Sequence, residues 1–109
     1  MTIREFQKNI DNIFGKRDKR RGISKSFNHL VEEIGELSQA MRKNDKDKIE
    51  KEFSDVFAWM MTCANLADID IETAVKRFWE TCPRCLEVKC SCDERNGIFD
   101  WNKLRKENE

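Results

Sequence analysis

Apolar residues recur along this chain at helical spacing, and the alternating β-branched runs that mark strands are lacking. Ile3, Phe6, Ile10, Ile13 and Phe14 form a first stripe behind Thr2-Ile3-Arg4-Glu5, which has the form of a capping box. A first helix is therefore expected to run to about Phe14 and to end at Gly15, with Lys16-Arg17-Asp18-Lys19-Arg20-Arg21-Gly22 following as a basic linker. Leu30, Ile34, Leu37 and Met41 mark a second helix, capped by Ser24 or Ser26 and reaching Lys43. Ile49, Phe53, Val56 and Met60 mark a third, from about Asp45 to Leu66. Asp68 and Asp70 offer caps for a fourth, in which Ile71, Ala74, Val75, Phe78 and Trp79 make a stripe that should close the bundle before Pro83 stops it. The expected fold is all-α, a four-helix-type bundle. The single Pro, four Gly and absent Tyr agree with helices rather than a sheet.

The segment Lys43-Asn44-Asp45-Lys46-Asp47 is short and rich in helix-ending and capping residues, so the second and third helices should fold back as an antiparallel hairpin with their stripes meeting. The two stripes superpose at an offset of 19 residues, which places Glu33 on Glu52 and Glu36 on Asp55, each acid pair on the same edge of its stripe. Glu32 falls on Lys51 and has no acidic counterpart. Four carboxylates can thus converge at the margin of a core. A single Glu-x-x-Glu in a chain with 39% charged residues would read as a solvated face; the duplicated geometry argues otherwise. Carboxylates about 6 Å apart at an effective dielectric of about 20 repel by roughly 3 kcal/mol per pair. A divalent cation removes that penalty, and all-oxygen ligation favours Mg2+ or Mn2+ over softer ions.

Glu32-Glu33-Ile34-Gly35-Glu36, followed across the hairpin by Glu52-Phe53-Ser54-Asp55, resembles the EExxE…ExxD signature of the MazG-like nucleotide pyrophosphohydrolases, relatives of the all-α dimeric dUTPases. The resemblance spans roughly residues 24 to 81. It implies an all-α fold and Mg2+-dependent hydrolysis of a nucleoside triphosphate to a monophosphate and pyrophosphate, with Glu33, Glu36, Glu52 and Asp55 as metal ligands. For Glu32 it implies a supporting role, orienting a basic side chain or a water. It also implies a homo-oligomer, dimer or tetramer. Many members carry a Lys and an Asn on the helix after ExxD; here Lys76 or Arg77 supplies the positive charge and the Asn has no clear counterpart.

Four of the five cysteines fall in Cys82-Pro83-Arg84-Cys85-Leu86-Glu87-Val88-Lys89-Cys90-Ser91-Cys92. A Cys-x2-Cys with a close second pair is a zinc-ligand arrangement, and four thiolates leave no open position for catalysis. A structural Zn2+ knuckle over 82–92 is expected, after a catalytic domain over 1–81; similar CPxC…CxC tails occur on some proteins that look like this one. Two disulfides are the alternative, which a cytosolic setting disfavours. Cys63 lies on the third stripe and reads as a buried core residue.

At 109 residues one domain is expected. The 21 basic and 21 acidic residues cancel, so no general attraction to nucleic acid or membrane arises. No apolar run spans a bilayer and the amino terminus lacks a signal-peptide pattern, so a cytoplasmic protein is expected. A triphosphate approaching the acids needs positive charge, for which Lys19, Arg20 and Arg21, with Lys25 and Lys76 or Arg77, are candidates; the bland reading of the run is a solvated linker. Trp59, one turn past Asp55, is placed to stack on a base, although helix aromatics more often pack. Phe27, Asn28 and His29 are weaker candidates of that kind, and the order His-x-x-Glu argues against a di-iron bundle. Ile98, Phe99, Trp101 and Leu104 in the tail 93–109 read as a segment docked on the bundle or on a second subunit. The competing reading is a non-catalytic zinc-containing interaction module, binding protein or nucleic acid through its tail.

Overall fold

The computed structural model describes residues 1–92, and all its regular elements are helices: α1 (Ile3–Arg21), α2 (Ile23–Lys43), α3 (Lys46–Leu66) and the single turn α4 (Ile71–Ala74), followed by a 3₁₀ turn, Val75–Phe78. The chain forms two compact units, Met1–Ala74 and a second beginning at Val75. The tail residues Ile98, Phe99, Trp101 and Leu104 lie outside the described residues.

Thr2 and Glu5 close the expected capping box at the start of α1. The helix then runs through Gly15 instead of ending there, because an interior glycine costs only about 1 kcal/mol and no proline or cap intervenes. The true stop is Gly22, whose φ of 86° is a conformation that side chains rarely tolerate. The expected linker is therefore the last turn and a half of α1, where Lys19, Arg20 and Arg21 face the negative end of the helix dipole. Gly22 also begins α2, without a side-chain cap. Ser26, expected as a possible cap, is fully buried, donating to the Gly22 carbonyl at 2.8 Å and accepting from Arg21 Nη1 at 3.2 Å.

Asn44 ends α2 in the left-handed conformation, and Asp45 accepts from the Lys48 N–H to start α3. These two residues make the hairpin, and α2 and α3 pack along each other as expected. Their stripes meet only in part: Leu30 is buried, but Ile34, Met41 and Phe53 are half exposed. With only α1 laid against the hairpin, three helices cannot cover both apolar edges.

The core of the first unit is small, formed by Ile10, Leu30, Ala40, Met61 and Ala64, with Phe6 stacked on Phe57 at 5.3 Å between ring centres. Four polar side chains are buried beside it. Gln7 binds Asn65 Oδ1 and the Ile69 carbonyl through Nε2, and accepts from the Ile71 N–H, which anchors the turn after α3 to α1. Asp18 accepts from Thr62 Oγ1 at 3.0 Å and from Arg21 Nη1 at 2.9 Å. Asp18→Ala is expected to lower stability by about 2–3 kcal/mol, since it strands a buried hydroxyl and a guanidinium, whereas Asp18→Asn keeps an acceptor and should cost less. Urea unfolding midpoints of the two variants measure the difference.

The expected fourth helix is the largest departure. Asp70 caps α4 through the Thr73 N–H and hydroxyl, but the helix lasts four residues before tightening to the 3₁₀ turn. Phe78 and Trp79 are mostly exposed, so the stripe that read as a closing face buries little among the described residues. In the second unit the Cys82 N–H donates to the Glu87 carbonyl and the Leu86 N–H to the Cys82 carbonyl, with Leu86 left-handed. That tight loop draws the cysteines together.

Candidate metal and nucleotide site

Residues three apart on a helix share a face, and α2 presents Glu33 and Glu36 in this way toward α3. Glu33, Glu36 and Glu52 each offer a carboxylate oxygen, and these oxygens lie within 4.8 Å of one another. The Oε2 atoms of Glu33 and Glu52 are buried and accept no hydrogen bond. Asp55 stands one turn further along α3, outside this trio, with Oδ2 3.0 Å from Lys51 Nζ. Lys51 also lies 3.7 Å from Glu52 Oε1, so it spans the two acids of α3. Glu32 points away: its side chain is 71% exposed and approaches His29 Nδ1 at 3.6 Å.

Burial, then the charges of Glu36 and Asp55, push the Glu33 carboxyl up to about 7. Two buried carboxylate oxygens without a donor, facing a third carboxylate, are costly unless a proton or cation satisfies them. The donor set is all oxygen, anionic and partly open to solvent, which fits a hard divalent cation.

The Glu33 shift has a consequence for stability. The folded metal-free protein holds this proton up to about 7, while the unfolded chain releases it near the ordinary 4.5. Between those values the folded state binds more protons, so the contribution of Glu33 is fully present below about 4.5 and is lost as pH rises through 7. Metal-free unfolding across this window should therefore carry a falling component that Glu33→Gln removes; an identical pH slope in the variant would contradict it.

Beside Asp55 opens a cleft of about 240 Å³ whose lining includes Arg17, Asp18, Arg21, Trp59 and Thr62. The Arg21 guanidinium sits 4.8 Å from the Trp59 ring centre, and His29 stacks on Trp59 at 4.6 Å with planes 6° apart. Glu32, His29, Trp59 and Arg21 thus form one continuous series of contacts. Of the expected substrate-binding residues, Arg21 and Trp59 meet here, while Lys19 and Arg20 are exposed on the last turn of α1. Lys76 and Arg77 belong to the second unit, where Arg77 lies over Phe78. Asp18 and Thr62 had no place in the sequence reading. An acid isolated within a run of bases is the one signal that could have exposed Asp18.

In the second unit the sulfurs of Cys82, Cys85, Cys90 and Cys92 also lie within 4.8 Å of one another, with Cys82 and Cys92 at 3.9 Å. Zn–S bonds of about 2.3 Å in a tetrahedron put sulfurs about 3.8 Å apart. Amide donors, Ser91 first and Glu87 next, hold the Cys85 thiol down at about 6, and those of Cys85 and Arg84 lower Cys82. Burial and the neighbouring sulfurs push Cys92 up to about 12. Cys85 is thus prepared as a thiolate, and a bound cation would favour ionisation of Cys92 as well. Cys63 is half-buried on α3, not sealed in the core.

Residues 22–84 match the family model described as the MazG nucleotide pyrophosphohydrolase domain. No curated protein matches the chain.

Proposed function

Because the chain belongs to the MazG nucleotide pyrophosphohydrolase family, we propose that it hydrolyses a nucleoside triphosphate to the monophosphate and pyrophosphate, using Mg2+ or Mn2+ at Glu33, Glu36, Glu52 and Asp55. The observation that carries this reading is the pair of buried, unpartnered oxygens contributed by Glu33 and Glu52 from facing helices.

A divalent ion held by these carboxylates would neutralise charge on the phosphates and acidify a water. The water oxygen bonds to the α-phosphorus as the bond to the α,β-bridging oxygen breaks, and pyrophosphate leaves with the electron pair. A carboxylate of the cluster accepts the proton. Trp59, flanked by His29 and Arg21, lines the cleft that takes the base, with Glu32 orienting His29 and Asp18 setting Arg21. Lys19, Arg20, Lys25 and Lys76 or Arg77 contribute positive charge to the approach of the substrate. Cys82, Cys85, Cys90 and Cys92 hold a structural Zn2+.

Phe27, Val31, Ile34 and Met41 recur along α2 at helical spacing and are each about half exposed, with Phe53 and Met60 on α3 also uncovered. So large an apolar stripe supports assembly as a homo-oligomer. Val31→Glu should lower the mass measured by light scattering; an unchanged mass would remove this face from the assembly. No helix among the described residues is long and apolar enough to cross a membrane.

The reaction is tested by separating the products from a panel of ribo- and deoxyribonucleoside triphosphates, with and without Mg2+. Monophosphate and pyrophosphate in equal amounts are expected only with metal. Diphosphate and phosphate would place the attack elsewhere and overturn the reading.

A further inference from the structure

The acid trio has a second neighbour, on the side away from Trp59. Glu36 and Glu52 also line a cleft of about 310 Å³ at the hairpin end, completed by Gln39, Lys43, Lys48 and Lys51. Lys51 is already committed to Asp55 and Glu52. Lys43, in the last turn of α2, and Lys48, in the first turn of α3, are exposed and enter no ion pair among the described residues. Three ammonium groups therefore border one side of a carboxylate trio whose other side opens toward an aromatic cleft.

We propose that Lys43 and Lys48 form the subsite for the pyrophosphate end of the substrate, a proposal that rests on the reaction given above. Chemistry sets the polarity. The triphosphate carries its charge at one end and its π-face at the other, and this site offers unpaired ammonium groups on one flank and the Trp59 ring on the other. Lys48, Glu52, Asp55 and Trp59 follow one another along α3, and the first and last are about 17 Å apart at 1.5 Å per residue. Side chains reaching inward bring that to the span of an extended nucleoside triphosphate. When the α-phosphorus bond to the bridging oxygen breaks, the new negative charge appears on the leaving pyrophosphate, where two ammonium groups are worth more than in the ground state. On the other flank Arg21 is held by Asp18, Ser26 and the Trp59 ring.

The test is the full chain carrying Lys43→Gln and Lys48→Gln, with Lys46→Gln as a control for general loss of charge. Two quantities are read: inhibition of turnover by inorganic pyrophosphate and by nucleoside monophosphate, and calorimetric binding of pyrophosphate in Mg2+. The double variant should weaken both inhibition and binding by pyrophosphate tenfold or more, leave monophosphate inhibition unchanged and differ clearly from Lys46→Gln. Unchanged pyrophosphate inhibition in an active double variant, or an equal loss in the control, overturns the subsite. If the wild-type protein hydrolyses no nucleotide, the reaction itself has failed, and calorimetry alone decides the cleft: pyrophosphate binding lost with the two lysines sustains it, and binding that is absent or unaffected ends it.

Discussion

Glu36→Gln is expected to reduce Mg2+-dependent pyrophosphate release at least a hundredfold, equivalent to about 3 kcal/mol of transition-state stabilisation, while leaving the helical circular-dichroism spectrum unchanged. Gln matches the size of Glu but removes the charge from one corner of the trio formed with Glu33 and Glu52. Glu36 is exposed, so the change touches no packed core. In the metal-free protein it should hold or raise the unfolding midpoint, because one of the carboxylates repelling Glu33 is gone. Loss of activity together with equal or greater stability is the signature of a ligand; loss of both would mean that Glu36 supports the fold instead. Glu32→Gln makes the contrast. That side chain reaches His29, outside the trio, and its loss should change turnover only several-fold, through the stack on Trp59.

Cys85→Ser is expected to release the zinc and unfold residues 75–92 while the helices of the first unit stay folded. Zinc binding at four-thiolate sites is worth about 10 kcal/mol or more in apparent free energy, far beyond what the few hydrogen bonds of this loop supply. The sulfurs already stand near tetrahedral spacing, and Cys85 is the one held down to about 6 by amide donors. Elemental analysis should find one zinc in the wild-type protein and none in the variant, and amide exchange should speed up after Val75 alone. A wild-type protein without zinc and with four titratable thiols in that loop would end the knuckle.

Much of this architecture is legible in the residues. Asn44 and Asp45 are strong local signals, one tolerant of the left-handed conformation and the other a cap, so the hairpin and the limits of α3 follow from them. The register of Glu33 with Glu52 follows from helical periodicity alone. Other features depend on choices that local patterns do not encode. Two glycines compete to end α1, and only Gly22 takes a positive φ. Asp18 and Ser26 are polar residues buried by mutual bonding with Thr62 and Arg21, which hydropathy cannot register. Ile34, Met41 and Phe53 occupy core positions of their helices without a covering partner in one chain. Asp55 has the spacing of a fourth ligand, and its pairing with Lys51, four residues before it, is a contact that the acid spacing alone does not reveal. The stripe from Ile71 to Trp79 has helical period, but a period specifies a helix only where a surface exists to bury it.

The most direct test of the carboxylate site is to titrate Mn2+ into the wild-type protein and Glu52→Gln, following bound ion by electron paramagnetic resonance and pyrophosphate release in the same samples. Bound Mn2+ and pyrophosphate release in the wild type, both lost in the variant, are predicted. A Glu52→Gln protein that still binds the ion and still releases pyrophosphate would contradict the assignment of the metal to this trio.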